Sequence, residues 1–201
     1  MISTPFELHI TVADVAFQQL DSFIELCHQM GGKPLLIELS RGDYCSQPMF
    51  NAIVKGSDIS YALEIAKEHA VTLNGNGFEV NRLKIEVPAF NYNLVTDNSQ
   101  LQNVDYFEWH GKVDFEREAL LLQLCEKNGA HLSKNALKDN ERKRYVTLRE
   151  FGDKTIFDNR ILALIKNFEE NNYTVYKQQA EYCVYDTNVL LDKNWLPDKF
   201  G

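Results

Sequence analysis

The sequence predicts an α+β fold built from two copies of a βαββαβ unit. Three observations carry this. The segment Phe6-Glu7-Leu8-His9-Ile10-Thr11-Val12 returns as Phe107-Glu108-Trp109-His110-Gly111-Lys112-Val113, with the two histidines 101 residues apart (110 − 9 = 101). Both segments alternate apolar and polar positions, as a half-buried strand does. The elements that follow each segment come in the same order, at an offset that drifts only slightly through loop-length differences.

Each element has its own signal. After the first strand, Phe17, Leu20, Phe23, Ile24 and Cys27 recur at helical spacing, predicting a helix from about Asp14 to Met30. In the second copy Phe115, Leu121, Leu122 and Cys125 predict a helix from about Asp114 to Asn128. Asp14 and Asp114 fit as N-caps, and Gly31 and Gly129 as helix stops. Strands are expected at Pro34 to Leu39 and Ala130 to Ala136, then at Met49 to Val54 and Arg144 to Arg149. Gly56 and Gly152 close the latter pair. Helices follow from about Asp58 to Leu73 and Thr155 to Asn171, and a last strand ends each half, Phe78 to Val87 and Thr174 to Tyr185. Glu86 and Glu181 stand at similar places in these last strands.

This order is ferredoxin-like: an antiparallel sheet with helices on one face. The chain therefore reads as one domain, residues 1–201, with lobes 1–90 and 103–190 and a polar linker, 91–102. Each lobe has a sheet face to bury, so the expected solution packs the two sheets together about a pseudo-two-fold axis.

Composition narrows the function. There are 21 Lys and Arg against 29 Asp and Glu, a net charge of −8. An acidic whole disfavours duplex DNA as a partner, which needs a basic face. No apolar run approaches the ~20 residues of a membrane helix, and the N-terminus lacks the pattern of a secretory signal, so no membrane partner and a cytoplasmic location are expected. The cysteines, Cys27, Cys45, Cys125 and Cys183, form no C-x-x-C pair, so no metal site is expected from them. Gly-rich phosphate loops, G-x-S-x-G and H-E-x-x-H are all missing from the sequence.

The residues able to do chemistry lie on the repeated strand. Alternation puts Glu7, His9 and Thr11 on one face, and Glu108, His110 and Lys112 on one face. Pseudo-symmetry brings both triplets to one cleft. His9 and His110 are the candidate acid–base pair, since imidazole titrates near neutrality. Glu7 and Glu108 are candidates to orient them. Thr11 and Lys112 are candidate ligand donors, one neutral and one cationic. His131 and Ser133 form a second H-x-S pair on another strand, whose counterpart in the first half is Lys33. The segment Glu141 to Arg149 is the most basic in the chain, and Arg144 and Arg149 are candidate anion binders of opposite strand parity. Asp186 and Asn188 are polar near the end of the last strand. His28 and His69 fall in helices and take no role.

The strand Phe6 to Val12, with its hydrophobic-His-x-Thr-hydrophobic pattern, resembles the motif of two-histidine (2H) phosphoesterases, the LigT-like fold. AHLSKNA, RYVTLR and EYCVYDTN add to a likeness with a bacterial branch of that fold class. His9 and Thr11 match the motif. His110 matches by repeat position, with Lys112 where the family has Thr or Ser, and His131-Leu132-Ser133 matches by type on a different strand. The resemblance implies a duplicated LigT-like domain. It implies a metal-independent, cofactor-free phosphodiesterase (a hydrolase) acting on a cyclic phosphate or a 2′,5′-linked nucleotide or RNA end. The alternative is a non-catalytic module that binds a small anionic or phosphorylated metabolite through Lys112, Arg144 and Arg149.

Overall fold

Alternation along the first strand decides which side of the sheet the helices cover. In the computed structural model, which describes residues 4–95, 104–138 and 142–196, β1 (Thr4–Val12) buries Phe6, Leu8, Ile10 and Val12 on one face and turns Glu7, His9 and Thr11 to the other. β5 (Tyr106–Asp114) does the same with Trp109 and Val113 against Glu108 and His110. The apolar faces lie beneath the helices, where Phe23, Phe50, Leu73, Phe157 and Leu164 join them in one core.

The first half comprises β1, α1 (Leu20–Gln29), β2 (Lys33–Leu39), β3 (Ser46–Gly56), α2 (Ile59–Gly75) and β4 (Val80–Pro88). The second comprises β5, α3 (Glu118–Lys127), β6 (Ala130–Asn135), β7 (Lys143–Glu150), α4 (Lys154–Glu170) and β8 (Gln178–Asp186). The sheet joins all eight strands in a closed barrel, in the order β1-β3-β2-β6-β7-β5-β8-β4. Two antiparallel seams connect the halves. β2 meets β6 through Ile37–Asn135, Glu38–Lys134 and Leu39–Ser133, and β4 meets β8 from Lys84–Asp186 to Pro88–Glu181.

This corrects the expected packing of two sheets in a LigT-like, pseudo-two-fold domain. The sheets share edges instead of stacking faces. The physical reason is that the inward faces carry Glu7, His9, Lys84, Glu86, Glu108, His110 and Glu181, which a dry sheet-to-sheet core does not tolerate unpaired. Edge joining pairs the backbone groups that four edge strands would otherwise expose. The core is consequently a ring between barrel and helices, and the lumen combines these polar side chains with an apolar wall.

Helix starts also differ from expectation. The stretch after β1 first forms a 3-10 turn, Phe17–Gln19, and α1 begins at Leu20 without a side-chain cap. Asp114 caps nothing: it ends β5 and receives Lys143 and the Tyr176 hydroxyl. α3 starts after Arg117, whose backbone is left-handed (φ 49°). Asp58 and Asp153 do cap α2 and α4, accepting from Tyr61 and Thr155 amides. Gly31 (φ 78°) and Gly129 (φ 62°) reverse the chain after α1 and α3 in a conformation that favours glycine. The linker opens with a 3-10 helix, Ala89–Leu94, and 96–102 lie outside the described residues. No helix among the described residues is long and apolar enough to cross a membrane.

Candidate functional site

The barrel lumen holds a cavity of about 230 Å3, to which all eight strands contribute. β1 supplies Glu7, His9 and Thr11; β5 supplies Glu108 and His110; β8 supplies Gln179 and Glu181. Exposure grades across it. Gln179 and Lys138 are exposed, and the His110 and Glu7 side chains are 30% and 21% exposed, which marks the mouth. Thr11, Gln47, Arg82 and Asp192 are each 2–4% exposed, which marks the floor.

An ion-pair network closes that floor. Asp192 comes from the 3-10 turn Val189–Asp192, which follows β8. Its carboxylate meets Arg82 Nη2 at 2.8 Å and Arg149 Nη2 at 2.5 Å. Arg82 also grips Asp186 at 2.6 Å, and Arg149 grips Glu108 Oε1 at 2.6 Å. Lys84 then bridges Glu108 (2.6 Å) to Glu86 (2.9 Å). Burial alone would raise the carboxyls of Glu86 and Asp192. The neighbouring cations, Lys84 for one and Arg82 with Arg149 for the other, outweigh it and bring each down to about 2.

The two histidines line the lumen with different partners. His9 Nε2 lies 2.9 Å from Glu86 Oε2 and 3.7 Å from Glu7 Oε1, and the Glu86 contact is not aligned as a hydrogen bond. The Asn51 amide approaches Nδ1 at 3.4 Å and donates to Glu7 at 2.8 Å. His110 Nδ1 meets the Thr147 hydroxyl at 3.0 Å, and Nε2 lies 3.5 Å from Glu108 and 3.7 Å from Glu181.

Glu7 and Glu181 are pushed apart in acidity. Burial favours the neutral form of both. For Glu7 the His9 imidazole and the Asn51 amide override burial and hold the carboxyl below its usual range. For Glu181 the carboxylates of Glu86 and Glu7 add to burial and lift it well above. The two are hydrogen-bonded to each other, and Gln179 donates to both, at 3.0 and 2.8 Å. A proton shared by the pair is therefore held on Glu181 in preference to Glu7.

The other expected residues divide between the lumen and its surroundings. Ser133 reaches the lumen wall. His131 does not join it: buried near Trp195, its Nδ1 accepts from Arg41 Nη2 at 2.7 Å, and burial with that cation brings it down to about 4. Lys112 stands outside the lining, its Nζ 5.7 Å from the Tyr145 ring centre. Arg144 packs on Phe115 at 3.7 Å beside Glu38 and Glu118, outside the barrel. Arg149 is consumed by the floor network, and Glu141 lies outside the described residues. Arg82, Lys84, Gln179 and Asp192 were missed. The signal for two of them was legible, since Arg82, Lys84 and Glu86 alternate with Leu83, Ile85 and Val87. A single acid in the apolar tail Val189-Leu190-Leu191-Asp192 was the signal for the third.

No family model matches the sequence, and no curated protein matches it. Among solved structures the chain is similar to the small subunit of acetolactate synthase from Thermotoga maritima, at 14% identity and a TM-score of 0.32, covering 91% of this chain and 96% of that one. It is similar to a heme-binding protein from Thermus thermophilus, at 9% identity and 0.32, covering 90% and 92%. It is also similar to chlorite dismutase from Candidatus Nitrospira defluvii, at 11% identity and 0.33, covering 96% and 95%. Likeness at this level carries no function across. The closed eight-strand barrel, in place of a duplicated LigT-like domain, corrects the resemblance to two-histidine phosphoesterases.

The phosphodiesterase expected from it, and the alternative of an anionic-metabolite module, are corrected with it. Among the described residues every buried cation of the lumen is already paired to a carboxylate, Arg144 packs on Phe115 outside the barrel, and Glu7 stays ionised at the mouth. A phosphate would meet like charge there.

Proposed function

We propose that the lumen is a small-molecule site for general acid–base chemistry: proton abstraction beside the carbonyl of a small uncharged compound. The observation that supports this is the Glu7–Glu181 pair, joined by Gln179, pushed in opposite directions in acidity and set between two imidazoles on one cavity. Environments that split two carboxyls in this way provide a proton donor and a charge stabiliser in one place.

The roles follow from the contacts. His9 takes the proton from carbon, and the imidazolium that forms sits between Glu86 and Glu7. Glu181, whose carboxyl lies 3.7 Å from His110, gives its proton to the carbonyl oxygen, yielding the enol, and takes it back when the enol returns to the ketone. Reversal returns the proton to carbon. A cavity of about 230 Å3 suits a compound below drug size. It does not fit a porphyrin, the ligand class of one similar protein, and both imidazoles face carboxylates already.

Deuterium exchange tests it. Short-chain ketones are incubated with the protein in D2O and their α-proton signals followed by NMR. Exchange above the buffer rate, lost in His9→Asn and Glu181→Gln while circular dichroism stays unchanged, is the expected result. No exchange with any ketone, or equal exchange in both variants, ends the proposal.

A further inference from the structure

At the floor of the lumen one hydroxyl is left out of the network around it. Thr11 is 2% exposed, lines the cavity, and its Oγ1 has no hydrogen-bond partner among the described residues. Its polar neighbours are engaged with one another. Arg82, opposite it on β4, is held by Asp186 and Asp192, and Gln47 donates to Leu191 O at 3.0 Å. The wall beside these groups is apolar: Leu35, Ile37, Met49 and Trp195. A buried hydroxyl without a partner is disfavoured, and native proteins seldom leave one so unless something else meets it.

We infer that Thr11 reads a hydrogen-bonding group at the far end of the ligand. The ligand is then a small amphipathic carbonyl compound, with its carbonyl at the His9–Glu181 level, a short apolar chain along Leu35, Ile37 and Met49, and a distal hydroxyl at Thr11. Strand geometry sets the spacing: His9 and Thr11 are two residues apart on one face of β1, about 7 Å. That separation calls for a chain of a few carbons. The inference rests on the lumen being a small-molecule site, as proposed above, and does not require that proton transfer occur there.

Two probes of matched shape test it. 4-Hydroxy-2-butanone and 2-pentanone differ only by a hydroxyl in place of a terminal methyl. Their affinities are measured by ligand-observed NMR titration, separately from deuterium exchange. The native protein is expected to prefer the hydroxyketone by roughly three- to tenfold, the scale of one net hydrogen bond. Thr11→Val abolishes the preference, and Thr11→Ser keeps it. Ligand-free Thr11→Val melts no lower than the native protein, because the hydroxyl it loses had no partner in the fold. A preference that survives in Thr11→Val, equal affinity for the two probes in the native protein, or no binding of either, overturns the inference. Comparison of the native protein with Thr11→Ser decides the matter should the valine variant not fold. A Thr11-dependent preference without exchange supports the subsite and removes the acid–base reading; exchange without the preference does the reverse.

Discussion

Arg149 and Asp192 meet inside the barrel at 2.5 Å, 43 residues apart in sequence, each with 3% or less of its side chain exposed. Through this contact the chain that follows the last strand closes the lumen floor. It also leaves neither charge able to find water if the other is removed.

Asp192→Ala is therefore expected to destabilise the protein by about 3–5 kcal/mol, the usual cost of breaking a buried pair on one side. Arg82 and Arg149 lose a shared carboxylate together. Urea unfolding measures it, and a change under about 1 kcal/mol, the scale of an exposed pair, counts against a structural role for the network.

Glu181 makes stability pH-dependent. Its folded acidity lies well above the unfolded carboxyl near 4.5, so the folded state holds a proton that the unfolded state releases. Stability from this group is whole below pH 4.5 and falls as pH rises beyond it, by at most about 1.4 kcal/mol per pH unit. Glu181→Gln removes that slope. Unfolding free energies of native and variant protein at pH 5 and pH 8 should diverge in favour of the variant at the higher pH.

His131 acts with the opposite sign. Buried beside Arg41 and brought down from 6.5 to about 4, it is neutral in the fold while the unfolded residue takes up a proton below 6.5. Stability from this group is complete above pH 6.5 and is lost as pH falls toward 4. An NMR titration of its ring protons should show no titration between pH 5.5 and 8.

Gly111 is held by space. A Cβ there would stand 2.2 Å from the Trp109 ring. Gly111→Ala should cost about 1–3 kcal/mol, the range for overpacking, and shift the emission of buried Trp109. Unchanged stability and emission would mean that the indole moves aside freely.

What the sequence revealed was what short-range chemistry encodes. Glu7-Leu8-His9-Ile10-Thr11 states its own alternation, and the return of Glu108 and His110 states the repeat. The helix caps were not legible: Asp58 and Asp153, for which no capping role was expected, cap α2 and α4. The closure was not legible, because the seam from Ile37–Asn135 to Leu39–Ser133 joins residues about a hundred apart and leaves no local pattern. Asp14 and Asp114 misled because acidic residues before an apolar helix face look alike whether they cap or, as Asp114 does, take a lysine and a tyrosine. Polar residues at alternating positions implied a surface cleft. The same residues line an enclosed lumen, since alternation says which residues share a side and not whether that side curls inward.

A closed barrel has no first or last strand. Among the described residues every strand has two neighbours, so no row of amide and carbonyl groups is left for a peptide or another copy of the chain to pair with. Recognition by strand addition is barred by topology, whatever the side chains. A macromolecule that engages this protein must do so through the helical shell or the loops at the barrel ends.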